Sequence, residues 1–71
     1  MTHYFMLEKL GARIRQLRIT MDMTQDKLSI ESDVEKAMIS RIESGRTNIT
    51  IRTLYKISQA LDVDIIEIFK D

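Results

Sequence analysis

The stretch TQDKLSIESDVEKAMISRIE, residues 24–43, decides the fold. Thr24 reads as a helix N-cap, because its hydroxyl can accept from backbone N–H groups that have no intrahelical partner. Asp26 suits the first turn, where the helix dipole favours negative charge. With Leu28 inward, this predicts a short helix running to about Glu31. Ser32 and Asp33 then form a turn, since aspartate is among the few non-glycine residues that tolerate a left-handed backbone. The next helix is expected from about Glu35 to Ser44, with Ile39 and Ile42 inward and Gly45 closing it as a left-handed residue. Two short helices joined by a turn of about three residues form the helix-turn-helix layout.

Outward from this unit, the chain continues in helices. Leu7, Leu10, Ile14, Leu17 and Met21 recur at helical spacing and predict a first helix of about 15 residues ending near Asp22. Glu8, Lys9, Arg13 and Gln16 then face outward. The opening Met1 to Met6, with Tyr4 and Phe5, either extends this helix or frays. On the other side, Arg46 to Ile49 read as a polar loop. Thr50 caps a fourth helix carrying Leu54, Ile57, Ser58 and Leu61 on one face, and Asp64 caps a fifth with Ile65, Ile68 and Phe69. The expected architecture is all-α, a compact single domain over 1–71 of five short helices sharing one core.

Composition excludes several function classes. There are no cysteines, so neither a disulfide framework nor a thiolate metal site can form. His3 is the single histidine, and no paired acid/base residues, nucleophile arrangement or phosphate-cradling glycine loop is present, so an enzyme is not expected. No apolar run is long enough to span a bilayer and no signal-peptide layout opens the chain, which predicts a cytoplasmic protein without membrane attachment. The formal net charge is zero, yet its distribution is uneven. From Lys36 to Lys56 the charges are Lys36, Arg41, Arg46, Arg52 and Lys56 against Glu43 alone. From Ile57 onward Lys70 faces Asp62, Asp64, Glu67 and Asp71. A basic centre with an acidic end can orient the domain on a polyanion.

Residue identity narrows the fold further. The strings GARIRQLR (11–18), TQDKL (24–28), ISRIESG (39–45) and ITIRTLYKISQALDV (49–63) together resemble the Cro/phage-repressor (XRE-like) helix-turn-helix family over about positions 10–69. The resemblance implies a five-helix, lambda-repressor-like fold, cytoplasmic location, operator binding as a homodimer and no cofactor. A recognition helix presents its N-terminal residues to base edges in the major groove. The positions matching the family's usual base readers are Lys36, Ala37, Ser40 and Arg41. Their chemistry agrees: Lys36 and Arg41 can donate to guanine O6 and N7, and Ala37 can contact a thymine methyl. Gln25 matches a phosphate-holding residue and stands at a helix N-terminus, where free N–H groups favour an anion. Arg46, Thr47 and Asn48 would contact the neighbouring DNA backbone, setting register and affinity and not sequence choice. Arg18 and Glu43 match a partly buried ion pair that joins the first helix to the third.

The departures from the family are informative. Asp33 replaces the usual turn glycine, Asp22 stands where glycine or a basic residue is common, and Ile49 replaces a frequent proline. The wording RTNITIRTL (46–54) resembles the controller proteins of restriction–modification systems. Glu35, at the start of the recognition helix, either accepts from cytosine N4 or repels phosphate. The family pattern usually has a polar residue at Ile66; with Ile51 and Tyr55 it would form an apolar dimer surface. Two readings follow: a small dimeric transcriptional regulator that reads a palindromic site on double-stranded DNA, or an antitoxin-like module whose main partner is a polypeptide. With 71 residues there is no room for a separate sensing domain, so no small-molecule effector is expected.

Overall fold

A computed structural model of the chain describes residues 3–70. Four α-helices, α1 (His3–Thr20), α2 (Gln25–Ser32), α3 (Lys36–Glu43) and α4 (Ile51–Ala60), are followed by a 3-10 segment, Ile65–Phe69. No strand occurs among the described residues. The first helix therefore extends back to His3, and Met1 and Thr2 lie outside the described residues. At the other end, a 3-10 segment takes the place of the expected fifth α-helix. Asp64 caps it by accepting from the Ile66 N–H at 3.0 Å, and Glu67 N–H closes an i→i+3 bond to the Asp64 carbonyl at 2.9 Å. Five residues suffice for that tighter helix, whereas an α-helix of this length would leave most backbone groups unpaired.

The caps fall where their chemistry places them. Thr24 and Thr50 accept from Lys27 N–H and Thr53 N–H at 3.0 and 3.1 Å. Asp33 sits left-handed at φ 57° after α2, and Gly45 at φ 73° after α3. Asp22 and Asp62 adopt the same left-handed conformation beyond α1 and α4, at φ 58° and 57°. Three helices thus stop on aspartates, which explains how a chain with two glycines and no proline makes four sharp turns.

Each element contributes to one core. Ile14, Leu28, Ile39, Ile57, Leu61 and Ile68 are fully buried. α3 packs on both α1 and α2, α2 also packs on α4, and the 3-10 segment lies against α1 and α4. Arg13 ties that last contact, donating through Nε to the Glu67 carbonyl at 2.9 Å. The buried Ser32 and Ser58 hydroxyls donate to carbonyls of their own helix, of Leu28 and Tyr55, so burying them leaves no unpaired group. Met21 departs from the expected apolar stripe: α1 ends at Thr20, and Met21 turns outward. Phe69, grouped with Ile65 and Ile68 in the sequence, is likewise exposed. In a 3-10 helix residues three apart eclipse, so Phe69 follows the exposed Ile66 and not the buried Ile68.

Candidate nucleic-acid interface

The unit Thr24–Glu43 is held rigid by its own turn. Ser29 Oγ donates to the Val34 carbonyl at 2.6 Å, and the Asp33 and Val34 N–H groups both return to the Ser29 carbonyl. Lys56 of α4 reaches the Asp33 carbonyl at 3.3 Å. Val34 is buried beside Leu28 and Ile39 in the shared core. The angle between α2 and α3 is therefore set by packing and by bonds on both sides of the turn.

α3 buries Ile39 and Ile42 and turns the other side outward. Lys36, Ala37 and Arg41 are exposed and Ser40 is half-buried. Residues spaced i, i+1, i+4 and i+5 share one helix face, so all four lie along one outer stripe. It combines a long ammonium donor, a methyl, a hydroxyl and a guanidinium. Glu35 precedes the stripe as the N-cap residue, and its side chain makes no capping bond. An exposed carboxylate therefore stands at the tip of α3. Lys36 Nζ lies 3.1 Å from Asp26 Oδ1 in the first turn of α2.

Behind the stripe lies a bonded network. Arg18 of α1 makes a two-pronged contact with Glu43 at the end of α3: Nε donates to Oε2 at 2.7 Å and Nη2 to Oε1 at 3.0 Å. Its Nη1 donates to the Met23 carbonyl at 2.8 Å, in the turn before α2. The hydrogen bond to Glu43 raises the guanidinium above its ordinary pKa; burial acts in the opposite direction, and the Glu43 charge adds to the rise. Gln25 completes the set, donating through Nε2 to Glu43 Oε1 at 3.1 Å. One carboxylate thus joins the first helix, the start of α2 and the end of α3. The sequence points Gln25 at a phosphate; the structure gives its amide a second task, the bond to Glu43, which leaves one N–H and the carbonyl oxygen available.

The loop after α3 folds back on that helix. Arg46 Nε donates to Ser44 Oγ at 2.9 Å, and Ser44 Oγ donates to the Arg41 carbonyl at 3.0 Å. Thr47 Oγ1 donates to the Asn48 carbonyl at 3.3 Å. Arg46, Thr47 and Asn48 therefore sit just beyond the C-terminal end of the stripe, before Thr50 caps α4. Two contributors escaped the sequence reading. In the sequence Asp26 is legible only as a helix-dipole residue, since its partner Lys36 is ten positions away across the turn. Gly11 packs α1 directly on α3: a Cβ there would overlap the Ile42 carbonyl oxygen and meet Glu43 O at 2.9 Å. A glycine inside a helical pattern is the signal that could have found it.

A second surface lies on α4 and the 3-10 segment. Ile51 and Tyr55, one turn apart, are 67% and 55% exposed, and Ile66 and Phe69 are 58% and 57% exposed. The two elements pack on each other. Large apolar side chains are exposed elsewhere too, Ile19 of α1 at 55% and Ile30 of α2 at 75%. Among the described residues no group of acidic, histidine or cysteine side chains could hold a metal ion, and no helix is long and apolar enough to cross a membrane.

Residues 14–68 match the helix-turn-helix family HTH_3. The control protein C.BamHI of Bacillus amyloliquefaciens is 41% identical over 54 residues, covering 75% of this chain and 67% of that protein. The HTH-type transcriptional regulator SlrR of Bacillus subtilis is 36% identical over 61 residues, or 84% of this chain and 40% of the relative. The crystal structure of the restriction-modification controller protein C.AhdI from Aeromonas hydrophila superposes with a TM-score of 0.87 at 30% identity, covering 89% of this chain and 96% of that one.

Proposed function

We propose that this chain, which belongs to the helix-turn-helix family HTH_3, is a dimeric transcriptional regulator of the controller-protein kind that reads a palindromic DNA site through α3. The observation that carries this is the outer stripe Lys36, Ala37, Ser40 and Arg41, backed by the Arg18–Glu43–Gln25 network. Base recognition requires donors held in a fixed register. That network fixes the end of α3 relative to α1 and α2, while the stripe is left to face the groove. Gln25 and the N–H groups at the start of α2 hold one phosphate, and Arg46, Thr47 and Asn48 hold the neighbouring backbone.

Selection of bound sites from a random duplex pool, followed by titration of variants, tests this. Arg41→Ala is expected to cost about 1–3 kcal/mol at one base position and to relax specificity there. Gln25→Ala should weaken binding to selected and scrambled duplexes alike. Equal losses from both changes on scrambled DNA would refute the division between base and phosphate contacts.

Each chain carries one recognition helix and spans 32 Å at its longest. Reading two successive major grooves, about 34 Å apart, takes two copies. The apolar pairs Ile51/Tyr55 and Ile66/Phe69 form the two-fold contact. Replacing Ile51 and Ile66 with aspartate should yield monomers in sedimentation analysis. It should also reduce affinity for the palindrome far more than for an isolated half-site. A double variant that remains dimeric places the interface elsewhere.

A further inference from the structure

We infer that Ser44 is a positioning residue for DNA binding: it holds the Arg46 guanidinium in register with α3, so that the outer edge of that group meets a backbone phosphate. The inference rests on the assignment of Arg46 to the DNA backbone. Ser44 follows α3 directly as its C-cap residue and is exposed. Its hydroxyl donates to the Arg41 carbonyl at 3.0 Å and accepts from Arg46 Nε at 2.9 Å. The same carbonyl takes the Arg46 backbone N–H at 3.0 Å; it is one of the acceptors that a helix end leaves unpaired. Backbone and side chain of Arg46 are thus both tied to Arg41, whose own side chain is assigned to a base edge.

The backbone between them is equally fixed. Gly45 is buried at φ 73°, and a Cβ there would lie 2.7 Å from Glu8 Cγ and 2.8 Å from Glu8 Cα. Lacking a side chain, it seats the loop directly against α1. The bond to Ser44 takes only the Nε–H of the guanidinium and leaves both Nη groups. Among the described residues no carboxylate pairs with Arg46, so an open fork that matches two phosphate oxygens faces outward with its charge uncompensated. Ser44 and Arg46 are both exposed, so water replaces their bond at little cost to folding when the hydroxyl is removed. The consequence lies in binding. Ordering a long flexible side chain on association lowers affinity about two- to tenfold. A guanidinium already oriented in the free protein escapes part of that loss. The bond persists in the complex, because Nε faces Ser44 while the Nη edge faces the phosphate.

The test compares Ser44→Ala, Arg46→Ala and the double variant, each titrated from low to moderate salt against a selected duplex and a scrambled one. Ser44→Ala should weaken binding about threefold on both duplexes, because a phosphate contact carries no sequence information. Its urea midpoint should stay close to the native value. Arg46→Ala should weaken both further and make the slope of log K against log salt shallower by about 0.9, the value for one phosphate contact. In that background, removing the Ser44 hydroxyl should change nothing more, because Ser44 acts through Arg46. Ser44→Thr keeps a hydroxyl and should bind as the native protein does. A loss for Arg46→Ala with none for Ser44→Ala would overturn the inference, as would an equal loss for Ser44→Thr. So would a Ser44→Ala loss that persists without Arg46, which would make Ser44 a phosphate ligand in its own right. Unchanged affinity and slope in Arg46→Ala would instead take Arg46 off the DNA backbone, and the inference would fall with the assignment beneath it.

Discussion

Replacing Glu43 with alanine is expected to destabilise the fold by about 3 kcal/mol, the lower end for breaking a buried ion pair. The Glu43 side chain is only 4% exposed and that of Arg18 11%. Glu43 accepts three hydrogen bonds, two from Arg18 and one from Gln25. Its removal leaves a guanidinium enclosed by protein with only the Met23 carbonyl as partner. Arginine cannot relieve this by losing its proton. The raised pKa follows the same rule: the stability it reports is fully present below the ordinary guanidinium range and is lost only as pH rises beyond it. No rescue is therefore expected anywhere between mild acid and mild base.

A chain of this size has a total stability of roughly 4–10 kcal/mol, so the loss is a large fraction of the whole. At about 4–8 °C per kcal/mol, thermal unfolding followed by circular dichroism should shift downward by more than about 10 °C. The double replacement Arg18→Met with Glu43→Leu separates stranded charge from lost packing. It removes both charges and keeps volume, and buried pairs replaced in this way often lose nothing. A single-variant loss below about 1 kcal/mol would mean that water reaches the guanidinium and that the pair acts as a surface bridge.

The comparison between sequence and structure follows a physical boundary. Thr24, Thr50, Asp64, Asp33 and Gly45 were legible because capping is local: each side chain or backbone angle acts within a few residues of itself. The apolar positions of α3 and α4 were legible because their helical spacing repeats. The end of the chain was not. A short apolar run after a cap is compatible with an α-helix or a 3-10 helix, and only the second turns Phe69 outward with Ile66. The site divides in the same way. The stripe Lys36, Ala37, Ser40 and Arg41 follows from helix geometry once α3 is placed. The Gln25–Glu43 bond and the Asp26–Lys36 pair depend on the angle between α2 and α3. That angle arises from packing of Leu28, Val34 and Ile39, which no local pattern encodes.

Gly11 is where that packing becomes most sensitive, and Gly11→Ala is expected to destabilise the protein by about 1–2 kcal/mol net. Local preference points the other way. Alanine is favoured over glycine inside a helix by about 1 kcal/mol, and Gly11 lies in the middle of α1. The added methyl would overlap the Ile42 carbonyl oxygen and lie 2.9 Å from Glu43 O. Both obstacles are backbone atoms of α3, so no side-chain rotation relieves them, and the helices must move apart. Overpacking typically costs about 1–3 kcal/mol and can exceed this where the backbone must shift. The displaced residues are also those that carry the Glu43 carboxylate to Arg18, so separation lengthens the 2.7 Å bond that fixes the end of α3. DNA affinity should then fall further than the folded fraction alone explains. The neighbouring Ala12 is exposed, and Ala12→Gly should also destabilise, by about 1 kcal/mol from propensity alone. Adding a methyl at one position and removing one at the next should thus both lower the urea midpoint. A rise for Gly11→Ala would show that α1 and α3 do not approach closely, and would detach the recognition helix from the support assigned to it.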